Sequence, residues 1–87
     1  FDLVGKNLQE SLERGINSGY FRKEINIDFI MRIYLNGLAG VRDINLFPIK
    51  EFKVEQVLEE FIEYHLRAIS TKKGLTLLNR IYKKSEL

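Results

Sequence analysis

Apolar residues return every three to four positions through most of this chain, and no other feature constrains the fold as strongly. Val4, Leu8, Leu12 and Ile16 stand four apart, with Lys6, Glu10, Glu13 and Arg14 off the stripe. That spacing predicts a first amphipathic helix, closed by Asn17-Ser18-Gly19, where glycine takes the left-handed C′ conformation at little cost. Tyr20-Phe21-Arg22-Lys23-Glu24 reads as a short connection carrying two aromatics.

Asn26 is suited to cap a second helix, with Ile25 and Ile30 placed to form a hydrophobic staple and Asp28 in the first turn, where the helix dipole favours it. Ile27, Ile30, Met31, Ile33, Tyr34, Leu35, Leu38 and Val41 then cover roughly two-thirds of the helical wheel, so this helix is expected to be buried on most sides. Asp28, Arg32, Asn36 and Asp43 share the remaining strip. Gly37 and Gly40 each weaken a helix by about 1 kcal/mol relative to Ala, and their expected use is close approach of a neighbouring helix or of a ligand. Leu46 to Phe52 is a break centred on Pro48, which disfavours helix at Phe47; so apolar a loop is expected to pack down in part.

The third helix is expected over Val54–Ile69. Its apolar set is Val54, Val57, Leu58, Phe61, Ile62, Tyr64, His65, Leu66, Ala68 and Ile69, and Glu55, Gln56, Glu59, Glu60, Glu63 and Arg67 fill the other side. The apolar arc spans about 200°, twice the stripe that a one-sided helix requires. A second buried surface, such as a subunit contact, accounts for the surplus. Ser70-Thr71 forms a junction with N-cap chemistry, followed by a fourth helix carrying Leu75, Leu77, Leu78, Ile81 and Tyr82. A junction this short makes the last two helices antiparallel neighbours. The tail Lys83-Lys84-Ser85-Glu86-Leu87 is expected to fray. With no repeat and no linker, residues 1–87 read as a single all-α domain, an antiparallel four-helix arrangement.

Composition narrows the chemistry. The 87 residues include 14 Lys+Arg and 12 Asp+Glu, a net charge of +2, which by itself predicts no nucleic-acid partner. With 45% hydrophobic residues the chain has the material for a core, burying roughly 60–65% of its unfolded surface. The absence of Cys excludes a disulfide framework, a thiolate zinc site and a Cys nucleophile, and a single His excludes a multi-His metal site. No apolar run approaches the roughly 20 residues of a membrane-spanning helix, and nothing reads as a signal peptide. The chain opens on Phe1 inside a helical pattern, the expectation for a piece of a longer protein.

Five groups of residues could carry chemistry. His65 is the sole imidazole; a histidine bonded at a core or interface edge is the plain reading, and a polar group lining a ligand cavity the sharper one. Glu59, Glu60 and Glu63 read as a solvated helix face, since no ligand from another helix is indicated to complete a metal or acid–base site. Lys72, Lys73, Arg80, Lys83 and Lys84 make a basic C-terminal end, again read as solvated. Tyr20, Met31, Tyr34 and Phe61 lie on core-directed faces and serve either packing or a small-molecule pocket. Gly37-Leu38-Ala39-Gly40 lies inside a helix with no strand before it, so it is not a phosphate-binding loop. No acid, base and nucleophile converge, so no enzymatic activity and no cofactor are expected.

Three pieces of the sequence resemble the C-terminal half of TetR-family transcriptional regulators. Glu13-Arg14-Gly15-Ile16-Asn17-Ser18-Gly19-Tyr20-Phe21-Arg22 is similar to that family's glycine-containing end to a bundle helix, and Ile25-Asn26-Ile27-Asp28 to its entry into the next. Phe61 to Leu75, reading FIEYHLRAISTKKGL, resembles the junction between the last two helices. Ala68 stands where such sequences often have Gly, and Lys53 where a Ser or Thr cap is usual. The resemblance implies a bacterial, cytoplasmic, effector-binding and homodimerisation domain. The family's helix-turn-helix precedes this region and is not in this sequence, so operator DNA would be met only through that missing part. It also implies an intersubunit bundle of the last two helices, with Phe61, Tyr64, His65, Ala68, Leu75, Leu78 and Tyr82 at the dimer interface and Met31, Tyr34 and Leu38 facing an unknown small-molecule effector. The alternative is a helical adaptor module that takes a partner helix in an apolar groove and binds no small molecule.

Overall fold

The computed structural model describes residues 3–82, with side chains from residue 5 onward. These residues form four helices and no strand: α1 Leu3–Asn17, α2 Ile27–Val41, α3 Val54–Ile69 and α4 Lys72–Tyr82. The expected bounds of α3 are the observed ones. The packing of Val4 and the behaviour of Lys83 to Leu87 lie outside the described residues.

α1 ends as its sequence dictates. Gly19 has φ +83°, the left-handed conformation in which a Cβ is strained. The Tyr20 N–H donates to the Gly15 carbonyl at 2.9 Å and the Gly19 N–H to the Ile16 carbonyl at 3.0 Å, the paired bonds of a Schellman cap. Asn26 caps α2, its side chain accepting from the Phe29 N–H at 3.1 Å. Asp28 pairs with Arg32 one turn on at 3.0 Å. α2 stops at Val41, so Asp43 does not continue its polar strip as the sequence pattern suggested. The Asp43 carboxylate accepts instead from the Asn45 N–H at 2.9 Å, closing a turn in the loop. Lys53 begins α3 without a side-chain cap.

The α2–α3 loop packs down in part. Phe47 and Pro48 are half-buried, and the Phe47 and Phe52 rings meet edge to face with centroids 5.2 Å apart. Ile44, Leu46 and Ile49 are exposed.

α2 lies between α1 and α3, and α4 rests on α3. Tyr82, at the far end of α4, lines a groove with Gln56, Glu59 and Glu63 of α3, so α4 turns back along α3. The core joins Leu12 of α1, Met31 of α2 and Ile69 of α3, with Leu8, Phe21, Ile25, Ile27 and Ile30 around them. Ile25 and Ile30, the expected staple pair, both pack on this cluster.

The arrangement is flat. Its extents are 41 × 41 × 18 Å, and 18 Å is less than two helix diameters of about 10–12 Å each. The radius of gyration is 14.3 Å, against about 12 Å for a chain of this length. A slab this thin leaves much apolar surface uncovered: Phe29, Ile33, Phe52, Val54, Tyr64 and Ile81 are all exposed.

Candidate functional site

Two of the three pieces that carry the family resemblance, far apart in sequence, meet in space. Phe21 and Ser70 form an isolated antiparallel bridge. The Arg22 N–H donates to the Ile69 carbonyl at 2.8 Å, and the Thr71 N–H to the Tyr20 carbonyl at 2.9 Å. The Thr71 hydroxyl donates to the Gly19 carbonyl at 2.6 Å, while its oxygen accepts from the Gly74 N–H at 3.1 Å and so caps α4. The Arg22 guanidinium donates to the Ala68 carbonyl at 3.0 Å, and the Lys73 ammonium to the Ser18 carbonyl at 2.9 Å, lying 4.6 Å from the Tyr20 ring centroid. Three consecutive carbonyls beyond α1 (Ser18, Gly19 and Tyr20) thus find donors in the 71–73 segment.

Two glycines make this joint sterically possible. A Cβ on Gly15 would run into the Phe21 ring, and one on Gly74 would run into the Tyr20 carbonyl oxygen. The joint therefore ties the end of α1 to the α3–α4 turn at one fixed separation.

Beside it, along the α2–α3 seam, three rings pack together. Tyr34 stacks on Phe61 with centroids 5.6 Å apart and meets His65 at 4.7 Å; Phe61 and His65 are 5.9 Å apart. The Phe61 ring occupies the space over Gly37 where a Cβ would stand. The close approach expected of Gly37 is thus met by a side chain within the same subunit, whereas Gly40 faces open space. His65 is 8% exposed, and burial pushes its pKa below the ordinary 6.5.

The seven residues that the resemblance assigns to an interface divide by burial. His65 and Leu78 are buried inside the subunit, with their contacts already made there. Phe61, Leu75 and Tyr82 are half-buried. Tyr64, 72% exposed, and Ala68, also exposed, lie on the outside, one helical turn apart. The wide apolar arc of α3 is therefore used mostly within the chain, and its outermost strip is Tyr64 and Ala68.

The three proposed effector-facing residues do not share a cavity. Met31 is buried in the core cluster. Tyr34 opens on a cavity of about 120 Å³ together with Ser11, Phe21, His65 and Leu66. Leu38 lines a separate one of about 310 Å³ with Val41, Arg42, Val54 and Leu58. Sequence reasoning missed Ser11, the polar tip that α1 brings to the Tyr34 cavity. Its spacing from Leu8 and Leu12 was the available signal.

The charged groups are partly as expected. Glu59 and Glu60 are exposed. Glu63 is not a solvated member of that face: its side chain is only 12% exposed, and its carboxylate accepts from Arg67 Nε at 2.8 Å. Lys72 and Arg80 are exposed, and Lys73 is engaged in the joint. Among the described residues no group of three or more His, Cys, Asp or Glu could hold a metal ion, and no helix is long and apolar enough to cross a membrane. No family model, curated protein or solved structure matches this chain.

Proposed function

We propose that this chain is the ligand-responsive homodimerisation domain of a TetR-like transcriptional regulator, acting without catalysis or a cofactor and reaching operator DNA through a helix-turn-helix segment outside this sequence. The observation that carries the reading is the uncovered outer strip of α3. An exposed Tyr64 beside Ala68, on a slab 18 Å deep, is what a helix retains when part of its apolar arc is reserved for a second copy. The small side chain at Ala68 allows two helices to approach closely there. The joint adds support, because the first and third of the resembling pieces act together as one structural unit.

In this reading a small-molecule effector binds at the Tyr34 cavity, between α1 and α3, where Tyr34 is the one α2 residue of the lining. The 120 Å³ present admits only a very small ligand, so a larger effector must move α1 away from α3. α3 carries both the cavity wall and the dimer strip. Effector binding would thus bias the spacing of the two subunits and, through it, operator affinity, by differential affinity for two states.

Sedimentation equilibrium of the chain tests the first requirement. A species of twice 10.3 kDa at micromolar concentration is expected. A strictly monomeric chain at high micromolar concentration contradicts the reading and favours the adaptor alternative.

A further inference from the structure

We propose that the Tyr34 cavity takes a small uncharged alcohol or phenol, whose hydroxyl bonds to the ring edge of His65 while its apolar body fills the remaining space. This rests on the regulatory reading for the place of the effector and adds the effector's chemical class.

His65 carries the inference. It is only 8% exposed, so more than nine-tenths of it is covered. Its ring lies against those of Tyr34 and Phe61, with centroids 4.7 and 5.9 Å away. Neither ring nitrogen hydrogen-bonds to a described residue. Among the described residues no sealed side-chain nitrogen or oxygen lacks a partner, so these nitrogens are not sealed. The cavity is the space that His65 lines, and there its edge meets an incoming group. A buried imidazole without a partner is unfavourable, and a hydrogen-bonding guest removes that cost.

The walls select the class of guest. Burial keeps the imidazole neutral at pH 7.5, so one nitrogen donates and the other accepts. A hydroxyl meets either nitrogen, since it both donates and accepts. Apart from Ser11, Tyr34 and His65 the lining is apolar: Leu8, Leu12, Phe21, Ile62, Leu66 and Ile69. No charged side chain is among these residues, which lie between positions 8 and 69, clear in sequence of the undescribed ends. Arg14 stands outside the lining; its guanidinium donates at 3.1 Å to the hydroxyl oxygen of Ser11, an exposed residue at the rim. A charged guest would therefore shed water without gaining a countercharge inside. The volume, about 120 Å³, is a little under the roughly 150 Å³ of an apolar cavity that accepts benzene, and this one opens on the Ser11 side. A guest of about seven heavy atoms or fewer fits these bounds.

The test is nitrogen-15 NMR of the full chain, titrated with phenol, with toluene (the same shape without the hydroxyl) and with benzoate. His65 is the sole imidazole, so its ring nitrogen resonances report this site alone. Phenol should shift them saturably, toluene should leave them in place, and benzoate should act at least about tenfold more weakly than phenol. In His65→Leu, an apolar replacement of similar size, phenol binding should weaken about tenfold while toluene binding stays within about twofold. Should that variant not fold, the parent spectra decide by themselves. The proposal is overturned if phenol leaves the nitrogens unmoved, in which case water alone is their partner, or if toluene or benzoate shifts them as phenol does. Sedimentation reads the regulatory reading separately. A strictly monomeric chain that binds phenol supports this inference and removes the dimerisation reading; a dimer whose His65 ignores phenol overturns this inference alone.

Discussion

The Thr71 hydroxyl lies 2.6 Å from the Gly19 carbonyl oxygen, joining the start of α4 to the end of α1 across 52 positions of sequence. The same side chain caps α4 through the Gly74 N–H, so one threonine serves two helix ends. Thr71→Val keeps the shape and removes these bonds together with a longer one from the hydroxyl to the Tyr20 carbonyl at 3.2 Å. It should cost about 1–3 kcal/mol of unfolding free energy, whereas Thr71→Ser should stay within about 0.5 kcal/mol of the parent. Denaturant midpoints of the three proteins decide this.

The glycines separate close contact from open space. Gly74→Ala places a methyl group against the Tyr20 carbonyl and Gly37→Ala places one in the Phe61 ring, so each should destabilise by about 1–3 kcal/mol. Gly40→Ala meets nothing within 4 Å and should stabilise α2 by about 0.5–1 kcal/mol. Thermal unfolding of the set should therefore split in sign. A uniform response would contradict the assigned packing.

Lys53 occupies the N-cap of α3 with φ −94° and ψ 127°, an extended backbone suited to a capping side chain, yet makes no cap bond. Lys53→Asp or Lys53→Ser should add about 1 kcal/mol of stability by satisfying an exposed helix N–H. The acidic replacement should gain slightly more, from the helix dipole. Urea midpoints at two salt concentrations separate the two contributions.

His65 makes stability depend on pH. Its folded pKa lies below 6.5 because burial among Tyr34 and Phe61 disfavours the imidazolium. Below the unfolded pKa the unfolded chain therefore binds the proton more readily. The stabilising contribution of neutral His65 is complete above about pH 6.5 and is lost as pH falls toward the folded pKa. Unfolding free energies between pH 7.5 and 5, referred to those of His65→Gln, should show this loss in the parent alone.

Much of the helical scaffold was legible because it rests on local rules. Asn26 capped α2, Gly19 closed α1, and the periodicity from Val54 to Ile69 marked α3 at its observed ends. The end of α2 was not legible. Asp43 continues the polar strip on a wheel, and only its turn with Asn45 shows that the helix has ended. The width of the α3 arc was visible, but its division was not. A helical wheel counts apolar positions without showing which neighbour each meets, so His65 and Leu78 stood equal to Tyr64 and Ala68 until the packing of α2 and α4 set them apart. The joint was hidden for a similar reason: the residues of both pieces were recognisable, but that Tyr20 meets Thr71 depends on how three helices pack. The acidic face of α3 read as solvated, which holds for Glu59 and Glu60; Glu63 departs from it because packing that a wheel does not show covers its side chain while Arg67, one turn on, pairs with it.

Phe61 is a poor probe of self-association, because its ring fills the seam over Gly37, and Phe61→Glu should disrupt the fold of a single subunit. Tyr64 is exposed and can be changed without opening the core. Sedimentation velocity of Tyr64→Glu beside the parent chain is thus the most direct measurement. The account predicts a parent dimer and a folded, monomeric variant, as expected when a charge is placed at the centre of an apolar contact. A variant that sediments as the same dimer as its parent would contradict it.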